Sequence, residues 1–199
     1  MKNNARVVVI GGGVVGVSTL YHLVKKGWTD CVLIERKERT SGSTWHAAGL
    51  LPLFNMSYSV GQIHKYSVDL YGRLEEETGQ YAGLSRVSNI RLATTQDRMD
   101  EYKQYAGVAQ TIGVQVDILT PDEVVDIWPL AVKDNLIGAI RHPMDGYIQP
   151  ADLTQALAKG ARDIGGQIYR NTNVTAITRT TSGEWKVTTD KGEVICDHV

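Results

Sequence analysis

Apolar residues along this chain fall into short unbroken runs that alternate with stretches of helical spacing. The first run, Val7-Val8-Val9-Ile10, is β-favouring throughout and predicts a strand buried on both faces. The next stretch places Val17, Leu20 and Val24 on one helical face, with Lys25 and Lys26 in the last turn and Gly27 as the stop. A second run, Cys31-Val32-Leu33-Ile34, predicts another buried strand. Residues 62–78 set Ile63, Tyr66, Leu70 and Leu74 on one face and predict an amphipathic helix ended by Gly79. A strand over 89–94, a helix over 97–112 and a strand over 114–119 follow. Thr120-Pro121-Asp122-Glu123 then combines a Thr cap, a first-position Pro and a Glu three residues after the cap. The helix it opens must end before Pro129.

The pattern continues with a strand over 136–141, closed by the turn-prone Pro143-Met144-Asp145-Gly146. Pro150 opens a helix with Leu153, Leu157, Ala161 and Ile164 inward, stopped by Gly165-Gly166. Strands are predicted at 167–169, 174–179, 185–189 and 194–199. Their Ser182-Gly183 and Lys191-Gly192 turns predict a small antiparallel layer before the chain returns to a parallel sheet. The fold class is therefore α/β, a Rossmann-like domain joined to the start of an α+β domain. Residues 85–144 leave the strand–helix–strand pattern. The expected division is a discontinuous first domain, 1–84 with 145–199, and a second beginning at 85–144.

Composition changes this picture little. The 199 residues are 42% hydrophobic, enough for a substantial core. A formal net charge of −1 argues against broad capture of nucleic acid or anionic membrane. No apolar stretch approaches the ~20 residues that span a bilayer. The N-terminus runs almost directly into the first strand, and Cys31 and Cys196 read as buried reduced thiols, so a cytoplasmic location is expected. The final residues, Glu193 to Val199, read as a strand running off the end, which suggests a fragment of a longer protein.

The candidate chemistry begins where the first strand ends. Gly11, Gly13 and Gly16 fall in the spacing G-x-G-x-x-G between a strand and a helix. Gly11 permits a sharp turn, Gly13 permits close approach of a pyrophosphate, and Gly16 permits helix and strand to pack. Val14 and Val15 open the helix, whose free N–H groups would hold an anion. Glu35 ends the second strand near the ~20-residue spacing of a ribose-binding carboxylate. These features predict a dinucleotide site. They do not by themselves separate FAD from NAD.

Beyond Arg36 lies a small-residue loop, Thr40-Ser41-Gly42-Ser43-Thr44-Trp45-His46-Ala47-Ala48-Gly49-Leu50. Its hydroxyls and N–H groups suit phosphate oxygens. Ala47 to Gly49 allow close approach to a flat ring, and Trp45 and Leu50 argue against free exposure. Glu75-Glu76-Glu77 reads as a solvated face. His22, His64, His142 and His198 form no cluster or metal spacing.

With the glycine loop, Glu35-Arg36 and Ser43 to Leu50, the chain resembles the dimethylglycine and sarcosine dehydrogenases, flavoproteins of the D-amino-acid oxidase superfamily. Leu74-Glu75-Glu76-Glu77-Thr78-Gly79, Ile90 to Thr95 and Asp145-Gly146-Tyr147-Ile148 extend the resemblance over essentially all of the sequence. It implies FAD as cofactor, bound by Gly11, Gly13, Val14, Val15, Gly16, Glu35, Arg36, Gly42, Ser43, Thr44, Trp45, His46, Gly49 and Leu50. Val174 matches the position whose backbone meets the adenine. His46 is implied as the covalent attachment point at the flavin 8α carbon. The implied reaction oxidises an N-methyl group of a small amino acid by hydride transfer to flavin N5, giving an iminium. That product is hydrolysed to formaldehyde or trapped by tetrahydrofolate in a C-terminal domain. Electrons would pass to an acceptor such as an electron-transfer flavoprotein. The substrate-facing residues would lie beyond position 199, so this piece alone is expected to be inactive, and no catalytic residue is assigned. An amine oxidase using oxygen directly and a non-catalytic dinucleotide-binding chain are the alternatives.

Overall fold

The computed structural model describes all 199 residues. In chain order the elements are β1 (Asn4–Ile10), α1 (Val14–Lys25), β2 (Cys31–Ile34), a single 3-10 turn (Ser43–His46), β3 (Leu50–Leu51) and α2 (Tyr58–Thr78). Then come β4 (Leu84–Arg86), β5 (Asn89–Ala93), α3 (Gln96–Ile112), β6 (Asp117–Leu119), α4 (Pro121–Ile127), β7 (Gly138–His142) and β8 (Gly146–Ile148). The chain ends with α5 (Pro150–Asp163), β9 (Gln167–Tyr169), β10 (Val174–Arg179), β11 (Trp185–Thr189) and β12 (Gly192–His198). It divides into two compact units, one of Met1–Gly49, Arg73–Gly83 and Gln149–Val199, the other of Leu50–Gly72 and Leu84–Ile148.

The first unit is built on one six-stranded sheet of order β10-β11-β12-β1-β2-β9. β1 pairs in parallel with both β2 and β12, and β2 with β9, while β10-β11-β12 is an antiparallel meander. The antiparallel strands are thus an extension of the same sheet, and β12 carries the chain back to the parallel part. All four residues of β2 are buried, as an apolar run flanked by parallel neighbours requires. β1 departs from the expected burial on both faces. Ile10 is exposed although it pairs with Ile34, because its side chain borders an open cavity beside the glycine turn. α1 buries Val17, Leu20 and Val24 as predicted. α5 buries Leu153, Leu157 and Ala161, but Ile164 is exposed because the helix has already ended at Asp163.

The second unit holds two three-stranded antiparallel sheets, β3-β8-β4 and β5-β7-β6. β5 pairs with β7 from Asn89↔His142 to Ala93↔Gly138. Its core gathers Leu53, Val68, Met99, Tyr102, Tyr105, Ala109, Ile112 and Ile140. α3 starts on Thr95, whose side chain accepts from the Arg98 N–H, and stops at the left-handed Gly113. The full capping box at Thr120 and Glu123 is present. On α2, Leu70 and Leu74 are buried as expected, whereas Ile63 and Tyr66 are exposed and Val68 is buried instead. The Glu75-Glu76-Glu77 face is not purely solvated either. Glu77 accepts from Tyr21 Oη at 2.5 Å and pairs with Lys25 at 2.6 Å and Arg73 at 2.8 Å. These contacts hold the Glu77 carboxyl down at about 2. Both cysteines are buried and free. No helix is long and apolar enough to cross a membrane.

Candidate functional site: the glycine turn and its two cavities

The turn between β1 and α1 needs glycine for two reasons, backbone conformation at Gly11 and space at Gly12 and Gly16. Gly11 has φ +109°, a conformation L side chains rarely adopt, and its N–H donates to the Ile34 carbonyl at 2.9 Å. A Cβ on Gly16 would stand 2.0 Å from the Gly11 carbonyl oxygen. Helix and turn can close only without it. Gly12, to which the sequence assigned no task, is also constrained. Its N–H donates to Glu35 Oε2 at 2.6 Å, and an added Cβ would meet Glu35 Cγ at 2.9 Å.

Glu35 is therefore fixed before any ligand arrives. Its other oxygen, Oε1, accepts from the Lys37 N–H at 2.7 Å. Two backbone donors orient the carboxylate, and its further lone pairs remain for hydroxyl donors. At the helix start, Gly13 is the N-cap without a side chain to offer, and the first turn contains no acidic residue. The positive end of the helix dipole is left uncompensated by the chain's own carboxylates, which suits an anion. The Val14 N–H donates to Thr44 Oγ1 at 3.0 Å.

Two cavities open on this turn, and both are lined by Gly11, Glu35 and Arg36. One, of about 280 Å³, adds Ile10, Ile34, Thr172, Asn173 and Val174. The other, of about 340 Å³, adds Gly13, Val14, Val15, Lys37 and Thr40 to Thr44. Gly42 and Ser43 thus join the lining with Thr44. Thr172 and Asn173, unassigned from the sequence, stand directly before Val174, and that adjacency was the available signal. Gly16 lies beneath the turn and lines neither cavity.

The later part of the loop is different. Trp45 and Leu50 are 62% and 69% exposed, so their bulk does not signal burial here. His46 closes the 3-10 turn, with Nδ1 3.1 Å from the Gly42 carbonyl oxygen. A carbonyl only accepts, so in the neutral ring the proton sits on Nδ1 and Nε2 keeps its lone pair. The Trp45 and His46 rings lie 4.5 Å apart. Gly49 is left-handed at φ +76°, and Leu50 begins β3 in the second unit.

A glycine turn, a helix start free of acids and a carboxylate held by backbone N–H groups fit the diphosphate and ribose of a dinucleotide. Comparison with known proteins agrees. The rat dimethylglycine dehydrogenase (Rattus norvegicus, mitochondrial) is 42% identical over 198 residues, covering 100% of this chain and 23% of that protein. Human mitochondrial sarcosine dehydrogenase is 39% identical over 178 residues, 89% of this chain and 19% of that one. A mouse mitochondrial pyruvate dehydrogenase phosphatase regulatory subunit is 38% identical over 194 residues, 98% and 22% respectively. The chain thus spans about a fifth of the length of these relatives. Among solved structures, L-proline dehydrogenase from P. horikoshii superposes with a TM-score of 0.89 at 26% identity, over 100% of this chain and 53% of that one. Residues 6–199 match the family described as FAD dependent oxidoreductase, and this chain belongs to it.

Proposed function

We propose that the protein of which this sequence forms part oxidises the CH–NH group of a small N-methylated amino acid, dimethylglycine or sarcosine, with release of the methyl group. The observation that carries this reading is the 42% identity with a dimethylglycine dehydrogenase across the whole of this chain. FAD, when bound, supplies the hydride acceptor. The chain's own residues bind and orient. The α1 N-terminus at Val14 and Val15 faces the diphosphate, and Glu35 accepts from ribose hydroxyls with Arg36 beside it. The backbone of Val174 takes the adenine side. Gly42 to Leu50 follow the flavin side, with Trp45 and Gly49 shaping that segment.

His46 would carry the covalent tether. Its Nδ1–H is committed to Gly42, which supports Nε2 as the nucleophile. Tetrahydrofolate as the one-carbon acceptor, an electron-transfer flavoprotein as oxidant, and a cytoplasmic site belong to the same proposal. So does a cofactor domain of 1–84 and 145–199 with a substrate domain beginning at 85–144. Activity is assigned to the whole protein, not to these 199 residues alone. The test is turnover of N,N-dimethylglycine and sarcosine by the full-length protein with a dye as acceptor, scored by formaldehyde. Formaldehyde formation from either supports the reading, and its absence from both refutes it.

The second reading, a non-catalytic chain, is favoured by one observation, the 38% identity with a phosphatase regulatory subunit. Flavin retained without any amine turnover would select it.

A further inference from the structure

One residue beside the glycine turn is held in a conformation that its own side chain disfavours. Thr40 has φ +66°, in the left-handed region. It is the third residue of a turn in which the Ser41 N–H donates to the Glu38 carbonyl at 3.3 Å. Glycine or asparagine takes such a position readily, whereas a β-branched residue there is an outlier. The Thr40 N–H donates to the Gly12 carbonyl at 3.1 Å, which fastens the strained residue to the glycine turn. Strain of this kind gathers at ligand sites, where a particular side chain is needed.

The hydroxyl gives threonine a reason to be there. Thr40 lines the cavity of about 340 Å³ together with Gly13, Val14 and Val15 at the start of α1. Four hydroxyls line that cavity, those of Thr40, Ser41, Ser43 and Thr44. Ser41 and Ser43 are exposed, and the half-buried Thr44 already accepts from the Val14 N–H at 3.0 Å. The Thr40 hydroxyl is half-buried too, and no group of the chain hydrogen-bonds it. Glu35 is the cavity's one acid against Arg36 and Lys37, and each of its oxygens already accepts from a backbone N–H. A free hydroxyl beside the positive end of a helix suits an anionic oxygen, to which it donates.

We propose that Thr40 is a further FAD-binding residue, its hydroxyl donating to a diphosphate oxygen. The inference rests on the reading of this turn as the diphosphate site of FAD. Thr40 then has two tasks, its N–H holding the loop against Gly12 and its Oγ–H meeting the ligand.

The experiment uses the full-length protein, with His46→Ala in every version so that flavin stays exchangeable. Thr40→Val, Thr40→Ser and Thr40→Gly are added to that reference, and flavin is removed. FAD affinity is read by quenching of flavin fluorescence, ADP affinity by competition with FAD, and the melting point of each apoprotein is recorded. Thr40→Val keeps the branched side chain, and with it the strain, but has no hydroxyl. It should bind FAD and ADP about tenfold more weakly, the scale of a lost hydrogen bond to a charged group, with its melting point unchanged. Thr40→Ser keeps the hydroxyl and should bind as the reference does. Thr40→Gly relaxes the backbone, so it should melt no lower than the reference while binding as weakly as Thr40→Val. A merely structural Thr40 would move melting point and binding together. Thr40→Val binding both probes as tightly as the reference, or weakened for FAD and not for ADP, overturns the assignment and leaves the reading of the turn standing. A reference protein that binds neither probe overturns that reading, and this inference with it.

Discussion

The Val14 N–H at the first position of α1 donates to Thr44 Oγ1 across 3.0 Å, so a loop residue 30 positions away caps the helix that Gly13 leaves uncapped. Thr44→Val removes the acceptor while keeping the shape, and should cost ~1 kcal/mol of stability, as loss of a helix cap does. Thr44→Ser should restore most of it. Urea denaturation of the three proteins measures both. Equal midpoints for Thr44→Val and wild type would show that the bond contributes nothing.

Gly16 and Gly13 should respond unequally to alanine. At Gly16 the new methyl would sit 2.0 Å from a backbone oxygen, which cannot rotate away. At Gly13 it would meet only the Thr44 hydroxyl at 2.9 Å, which can. Gly16→Ala should therefore cost at least ~1–3 kcal/mol and abolish flavin retention, while Gly13→Ala folds. Gly13→Val, larger and branched, should fold yet lose FAD. Flavin-to-protein ratios after gel filtration decide this.

Much of this was legible in the chain. The glycine spacing, Val7–Ile10 and Cys31–Ile34 located the sheet and its turn because a buried parallel strand must be apolar throughout. The short strands Leu50–Leu51, Leu84–Arg86 and Gly146–Ile148 show no period and, unlike Gln167–Tyr169 after the Gly165-Gly166 stop, have no helix end beside them to mark their start. Ile63 and Tyr66 were misread because helical spacing finds an apolar face without saying which neighbour covers it. In the site, Glu35 was found by position, but its clamping by the Gly12 and Lys37 N–H groups depends on chain geometry that spacing does not carry.

A pH effect follows from two buried groups in the second unit, His142 and Asp145. Burial first, then Arg91, lowers His142 to about 4, with Asp117 opposing. Burial raises Asp145 to about 6, opposed by the Leu53 N–H and Arg91. The stability His142 contributes is present above its unfolded value of 6.5 and is lost as pH falls through about 4. That of Asp145 is present below 3.8 and is lost as pH rises through about 6. Between about 4 and 6 the two slopes oppose each other. Asp145→Asn should therefore lose ~1.4 kcal/mol per pH unit on acidification across that window. His142→Asn should gain about as much. Melting temperatures of both variants from pH 4 to 6.5 test the signs, and parallel curves would refute them.

Acid sensitivity lower down should come from Glu77. Hydrogen bonds from Lys25 and Tyr21 hold its pKa at about 2, below its ordinary 4.5, so its contribution disappears as pH falls between those values. Glu77→Gln should be less stable at neutral pH and lose less stability than wild type on acidification. Denaturation midpoints at neutral pH and at pH 3 compare the two.

The central claim, that this glycine turn serves a flavin that oxidises N-methyl amines, is tested most directly by the anaerobic visible spectrum of the full-length protein. The purified wild type should show the bands of oxidised flavin, and adding N,N-dimethylglycine or sarcosine should bleach them, whereas Gly13→Val should show no flavin bands. A wild-type spectrum left unchanged by both amines, or flavin retained in full by Gly13→Val, would contradict the account.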